Sequence, residues 1–232
     1  MGRMPQELED IVTGLISNLK LLESAGAGDI YLVKAPAGPQ PAKAVEAQSV
    51  DAQAVETGCE ACPLKSSRLG EAQPAGSAAS GIAFVALAPS AGALADGPYS
   101  GEAGLLLSRI ITGEKAMGYA STDEVYLTYA VRCAPVDGVI TDEALRCCAT
   151  LLEKDLKSAG ARVVIALGPQ AAKAVLGAFD ADVPRGKAHK KGALRVIATY
   201  DMESLVKDAS LKKPLWDDIK LAMKELRAAS KN

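Results

Sequence analysis

Five cysteines are the residues of this chain best suited to chemistry. Cys59 and Cys62 stand two residues apart in "CEACP", Cys133 lies about seventy residues on, and Cys147 and Cys148 are adjacent. Thiolates gathered from three segments can hold a 4Fe-4S cluster or a zinc ion. Zinc ribbons use two close pairs, and only the first pair is close here, which favours the cluster. A third reading leaves the cysteines as small buried hydrophobes without a ligand. The count is odd, and nothing near the N-terminus has the apolar core of a secretory signal, so a disulfide frame is not expected. The expected compartment is the cytoplasm.

The segments around these cysteines must position them. From residue 80 onward apolar runs of strand length alternate with helical spacings. "GIAFVALA", "DEVYLTYAVRC", "ARVVIALG" and "ALRVIATY" read as strands. "GEAGLLLSRIITGEKAMG", "TDEALRCCATLLEKDLKSAG", "PQAAKAVLG" and "KKPLWDDIKLAMKELRAAS" read as helices, with Thr141 as an N-cap and Gly160 as a stop. The alternation predicts an α/β fold, a three-layer α/β/α sandwich with a central, mainly parallel sheet. Ligands of such sheets bind beyond the strand carboxyl ends, here in the loops 88–101, 129–140, 168–169 and 200–205.

Upstream, Leu8, Val12, Leu15, Leu19 and Leu22 form one apolar stripe, expected as a helix that docks on the domain. The predicted organisation is an N-terminal helix and short strand over 1–34, an Ala/Pro-rich linker over 35–56, and one domain over 57–232. No run of eighteen apolar residues predicts a membrane span. The formal net charge of −2 gives no global basic field, so a nucleic-acid partner would have to be met by local patches. Arg185, Lys187, Lys190 and Lys191 form one such group; Lys65, Arg68, Arg132 and Arg146 flank the cysteines. They are candidates for phosphate contacts, or else a solvated loop face.

Several motifs in order resemble the iron–sulfur uracil-DNA glycosylases, the family-four branch of that superfamily. They are "CEACPLKSSR", "FVALAPSAGALADGPYSGEAGLLLSRII", "VYLTYAVRCAP", "DEALRCCATLL", "VVIALGPQAAKAVLG" and "PRGK". The resemblance implies a 4Fe-4S cluster held by Cys59, Cys62, Cys133 and Cys147, with Cys148 the near alternative. It implies a monomer that acts on single- or double-stranded DNA in base-excision repair, hydrolysing the bond between base and deoxyribose. The cluster would be structural. Ala88, Pro89, Ser90 and the stacking Tyr99 would line the base pocket.

Three catalytic positions of the family are substituted. Leu87 stands for its acidic residue, Tyr129 for its asparagine, and Asp201 begins the turn where it has histidine. Leucine cannot orient water, a phenol lacks the paired donor and acceptor of an amide, and a carboxylate would repel a departing base anion. Asp201 also reads as a helix N-cap. The chain's single histidine, His189, is expected in an exposed loop among lysines. Uracil excision is therefore expected to be reduced or lost. The alternatives are a non-catalytic, cluster-bearing module that binds nucleic acid or protein, and a redox-responsive regulator.

Overall fold

The computed structural model describes residues 59–229, so the expected N-terminal helix and linker lie outside the described residues. Five strands form the central sheet: β2 (Ile82–Ala86), β3 (Tyr126–Tyr129), β5 (Val163–Leu167), β6 (Ala188–Lys191) and β7 (Leu194–Thr199). Their order is β3-β2-β5-β7-β6. All pairings are parallel except β6 with β7. A separate ribbon joins β1 (Arg68–Glu71) antiparallel to β4 (Cys133–Pro135).

The strand side chains alternate between two faces, and the faces differ in bulk. Ala83, Val85, Val164, Ala166, Val196 and Ala198 point to one side. Against it pack α3 (Asp142–Ser158) and the alanine-rich α4 (Pro169–Leu176), whose small residues let backbone approach backbone. Ile82, Phe84, Ile165, Leu167 and Ile197 point to the other side. They meet α2 (Gly101–Thr112), α5 (Met202–Lys207) and α6 (Lys212–Ala229). Between β2 and α2 the chain adds a short helix, α1 (Ala91–Asp96). The three-layer arrangement expected from the alternating pattern is the one found.

The sheet has a switch point. The chain leaves β2 for α2 on one face and leaves β5 for α4 on the other, although β2 and β5 are parallel neighbours. Their diverging loops open a crevice at the strand carboxyl ends. Gly168 makes the second exit possible: its φ of +96° lies where a side chain is strained, and Pro169 then starts α4 with its fixed φ.

Among the described residues, no helix is long and apolar enough to cross a membrane.

Candidate base pocket and cysteine cluster

A cavity of about 690 Å³ fills the crevice. All four expected loops contribute to it: Leu87, Ala88, Pro89 and Ser90 after β2, Tyr129 and Val136–Gly138 around β4, Gly168–Gln170 after β5, and Asp201–Glu203 after β7. Two of the sequence-nominated groups are spoken for within the fold. Ser90 caps α1, its Oγ accepting from the Ala93 N–H at 3.1 Å. Asp201 caps α5, as its sequence context suggested. Its Oδ1 accepts from the Ser204 N–H at 2.7 Å and its Oδ2 from the Ser204 hydroxyl at 2.8 Å.

Tyr99 is not in the cavity wall. Its ring packs with the bulky-face core and its hydroxyl is buried, with Thr122 and Asp123 nearby. Gly104 of α2 lies directly against the Tyr99 backbone, where a Cβ would come within 2.4 Å of the Tyr99 carbonyl carbon. The aromatic group in the wall is instead Tyr129, 4% exposed at the end of β3. Burial pushes its phenol up to about 12, so it stays a hydrogen-bond donor at neutral pH.

Three of the four large hydrophobic side chains that stand exposed in the described residues lie together beside this cavity. Leu69 on β1 and Val136 after β4 line it, and Val139 follows in the same loop; Leu105 is the fourth.

The cysteines gather next to that ribbon. Cys62 caps a short 3-10 turn, Pro63–Lys65, whose Leu64 is buried in the same cluster as Cys133 and Cys148. The Cys62 N–H donates to the Cys59 carbonyl at 3.3 Å. Arg68 Nη1 donates to Cys133 Sγ at 3.3 Å, and Glu71 pairs in register with Cys133. Burial pushes the Cys148 thiol up to about 12, against the pull of the Arg132 backbone, with Cys62, Cys133 and Cys59 acting on it in turn. Burial raises the Cys147 thiol, and the neighbouring Cys62 raises it further. Cys148 is buried in the same cluster as Cys133, whereas Cys147 is half-buried. The side chains gathered here are thiols, a donor type that iron–sulfur centres use. Among the described residues, no three His, Cys, Asp or Glu side chains are arranged to hold a single metal ion.

Arg132, next to Cys133, ties its strand to the helix that carries Cys148. Its Nε and Nη2 donate to Asp155 Oδ2 and Oδ1 at 3.2 and 2.5 Å, and Thr128 donates to the same carboxylate at 3.2 Å. This buried network clamps the end of β3 to α3, so Cys133 and Cys148 are carried on elements locked together.

The basic residues nominated for phosphate are partly committed. Arg185 donates to the buried Asp218 carboxylate at 3.0 Å and to the Pro214 carbonyl at 2.8 Å, and stacks over Tyr200. Arg146 pairs with Asp180 and lies over Phe179. Lys191 meets Glu153 at 3.5 Å. Lys65 pairs with Glu60. His189 lies on edge strand β6, not in a loop, with Nε2 2.8 Å from the Pro184 carbonyl oxygen.

A mostly parallel sheet with a crevice at its switch point has its ligand-binding position beyond the strand carboxyl ends. Residues 73–220 match the family model of the uracil DNA glycosylase superfamily, and the chain belongs to that superfamily. The matched range includes Cys133, Cys147 and Cys148 and begins after Cys59 and Cys62. A type-5 uracil-DNA glycosylase from Pyrobaculum aerophilum is 38% identical over 79 residues, 33% of this chain and 35% of that protein. The similarity thus spans about a third of the relative's length, and the relative carries the type-5 name where the motifs suggested the family-four branch.

Proposed function

We propose that this chain is a glycosylase-fold protein of DNA base-excision repair that takes a nucleobase into the crevice, with uracil excision slow or absent. The observation that carries the second clause is the engagement of Asp201. Hydrolysis forms a bond from water oxygen to the sugar carbon and breaks the bond to the base nitrogen. The base leaves with the electron pair and must be stabilised until it is protonated. A donor is needed where that charge develops. Asp201 supplies only acceptors there, and both oxygens are already used by Ser204. Leu87 gives no group to orient the water.

The first clause is supported by the cavity and by its apolar rim. Side chains such as Leu69, Val136 and Val139 suit contact with unstacked bases. Lys187 and Lys190 are the candidates for phosphate, Arg68 being engaged by Cys133 and Glu71.

In this reading a 4Fe-4S cluster is held by Cys59, Cys62, Cys133 and one cysteine of α3. Cys147 is the position the motif alignment selects. Cys148 is favoured by its burial beside Cys133. The cluster would order the segments that carry its ligands. The chemistry at the base belongs to the crevice.

A single-turnover assay tests the function. Cluster-loaded protein in excess is mixed with single- and double-stranded uracil oligonucleotides, and abasic sites are scored after alkali. Binding without appreciable strand scission is expected. Rapid excision would sink the claim of lost catalysis, and absence of DNA binding would sink the repair role.

A further inference from the structure

We infer that the Gln170 carboxamide reads the edge of the base, supplying the paired donor and acceptor that Tyr129 cannot. The inference rests on the reading that the crevice takes a nucleobase. The ligand class is a neutral base with a lactam edge, an N–H beside a carbonyl.

The sheet order sets the juxtaposition. Tyr129 ends β3 and Gln170 follows β5, and β2 runs between them. A base seated over the carboxyl end of β2, on Leu87–Pro89, therefore has Tyr129 on one side and Gln170 on the other. Gln170 is the second residue of α4, fixed in place by the Gly168 turn and Pro169, and its side chain is exposed at the cavity.

Elimination among the polar side chains of the wall leaves Gln170. Asp201 spends both oxygens on Ser204, and Ser90 accepts from Ala93. Asp137 Oδ1 accepts from the Val139 N–H at 3.0 Å. Glu203 offers acceptors alone, and Ser100 and Tyr129 each offer one hydroxyl. Gln170 is the single carboxamide in the wall, and it makes no hydrogen bond among the described residues. An amide can accept from a ring N–H with its oxygen and donate to the adjacent carbonyl with its nitrogen. The same pairing explains why amide side chains read base edges in nucleic-acid complexes.

The test uses the cluster-loaded full chain, with free uracil and N3-methyluracil as probes in equilibrium dialysis. The methyl group removes the N–H that the amide oxygen would accept. Wild type is expected to hold uracil about tenfold more tightly than its methylated form, and Gln170→Ala is expected to bring the two together. Gln170 is exposed, so the variant should keep the wild-type circular dichroism. Equal affinities in wild type, no detectable uracil binding, or a ratio that survives in Gln170→Ala would each overturn the inference. Binding of uracil-containing oligonucleotides, measured in parallel, separates it from the functional reading. Gln170-dependent uracil binding without DNA binding would refute the repair role alone. DNA binding with an unchanged base preference in Gln170→Ala would refute the inference alone.

Discussion

Asp201 and Ser204 are joined by two hydrogen bonds, one to the backbone and one to the hydroxyl, so the carboxylate that opens α5 is a helix cap with both oxygens occupied. Asp201→Asn keeps a capping oxygen and should leave stability nearly unchanged. Asp201→Ala should cost about 1 kcal/mol, seen as a lower Tm. Asp201→His exchanges the cap for a donor. Its Tm should fall while uracil excision rises, by about tenfold or more if a missing donor limits the chemistry. Unchanged excision in Asp201→His would place the defect elsewhere, with Leu87 the next position to alter.

Arg132 and Asp155 form a buried pair, 14% and 10% exposed in their side chains. Removing one partner strands the other charge. Arg132→Ala should therefore lose about 3 kcal/mol in denaturant unfolding, and Arg132→Met with Asp155→Leu together should lose less than either single change. Iron content should fall with Arg132→Ala even at low temperature, because Cys133 and Cys148 sit on the elements this pair clamps.

The cysteines divide by position. Cys62→Ala should bleach the brown colour of anaerobically purified protein. Cys148→Ala should lower bound iron far more than Cys147→Ala. The reverse order would identify Cys147 as the fourth ligand, and iron retained in Cys62→Ala would overturn the proposed set.

Gly104→Ala should be disruptive. The added Cβ would meet the Tyr99 backbone at 2.4 Å, a contact that no side-chain rotation relieves. A loss of about 2 kcal/mol is expected in chemical denaturation. Gly97 and Gly138 have open space around the site of a Cβ, so a side chain there meets the strain of their φ of +93° and +73° and no clash.

Alkaline stability follows from three tyrosines. Burial pushes Tyr99, Tyr126 and Tyr129 each up to about 12, above the ordinary value near 10. Between these values the unfolded chain releases phenolic protons that the folded chain keeps, so stability is intact below about pH 10 and falls as pH rises toward 12. Denaturant midpoints measured across that window should drop with increasing slope, and Tyr126→Phe should flatten the curve.

The long elements could be read from the sequence because each obeys one local rule. β2 and β5 are unbroken apolar runs, β7 carries Val196, Ile197 and Ala198 in succession, and Thr141 caps α3 by accepting from the Ala144 N–H at 3.2 Å. The β1–β4 ribbon escaped notice because "RLGE" and "CAP" have no alternation, and their pairing joins residues some sixty-five apart. β6 escaped because "AHKK" has the composition of a loop; only its pairing with β7 makes it a strand. The lining loops of the crevice can be named from the strand ends, but spacing does not say that Tyr129 lines the cavity while the Tyr99 ring packs with the bulky-face core. Gln170 is illegible in the sequence for the opposite reason. Its segment matched a helix start, and nothing in a sequence marks an amide left without a partner.

The tie from Arg185 to Asp218 has a consequence for the far end of the chain. The Arg–Gly turn beside β6 is held by a carboxylate that belongs to α6, and Thr199 at the end of β7 donates to the same oxygen at 2.8 Å. The last helix is therefore a buttress. A protein cut before residue 218 would lose the anchor of a turn more than thirty residues upstream, and with it the stop that sets where β7 hands over to Asp201.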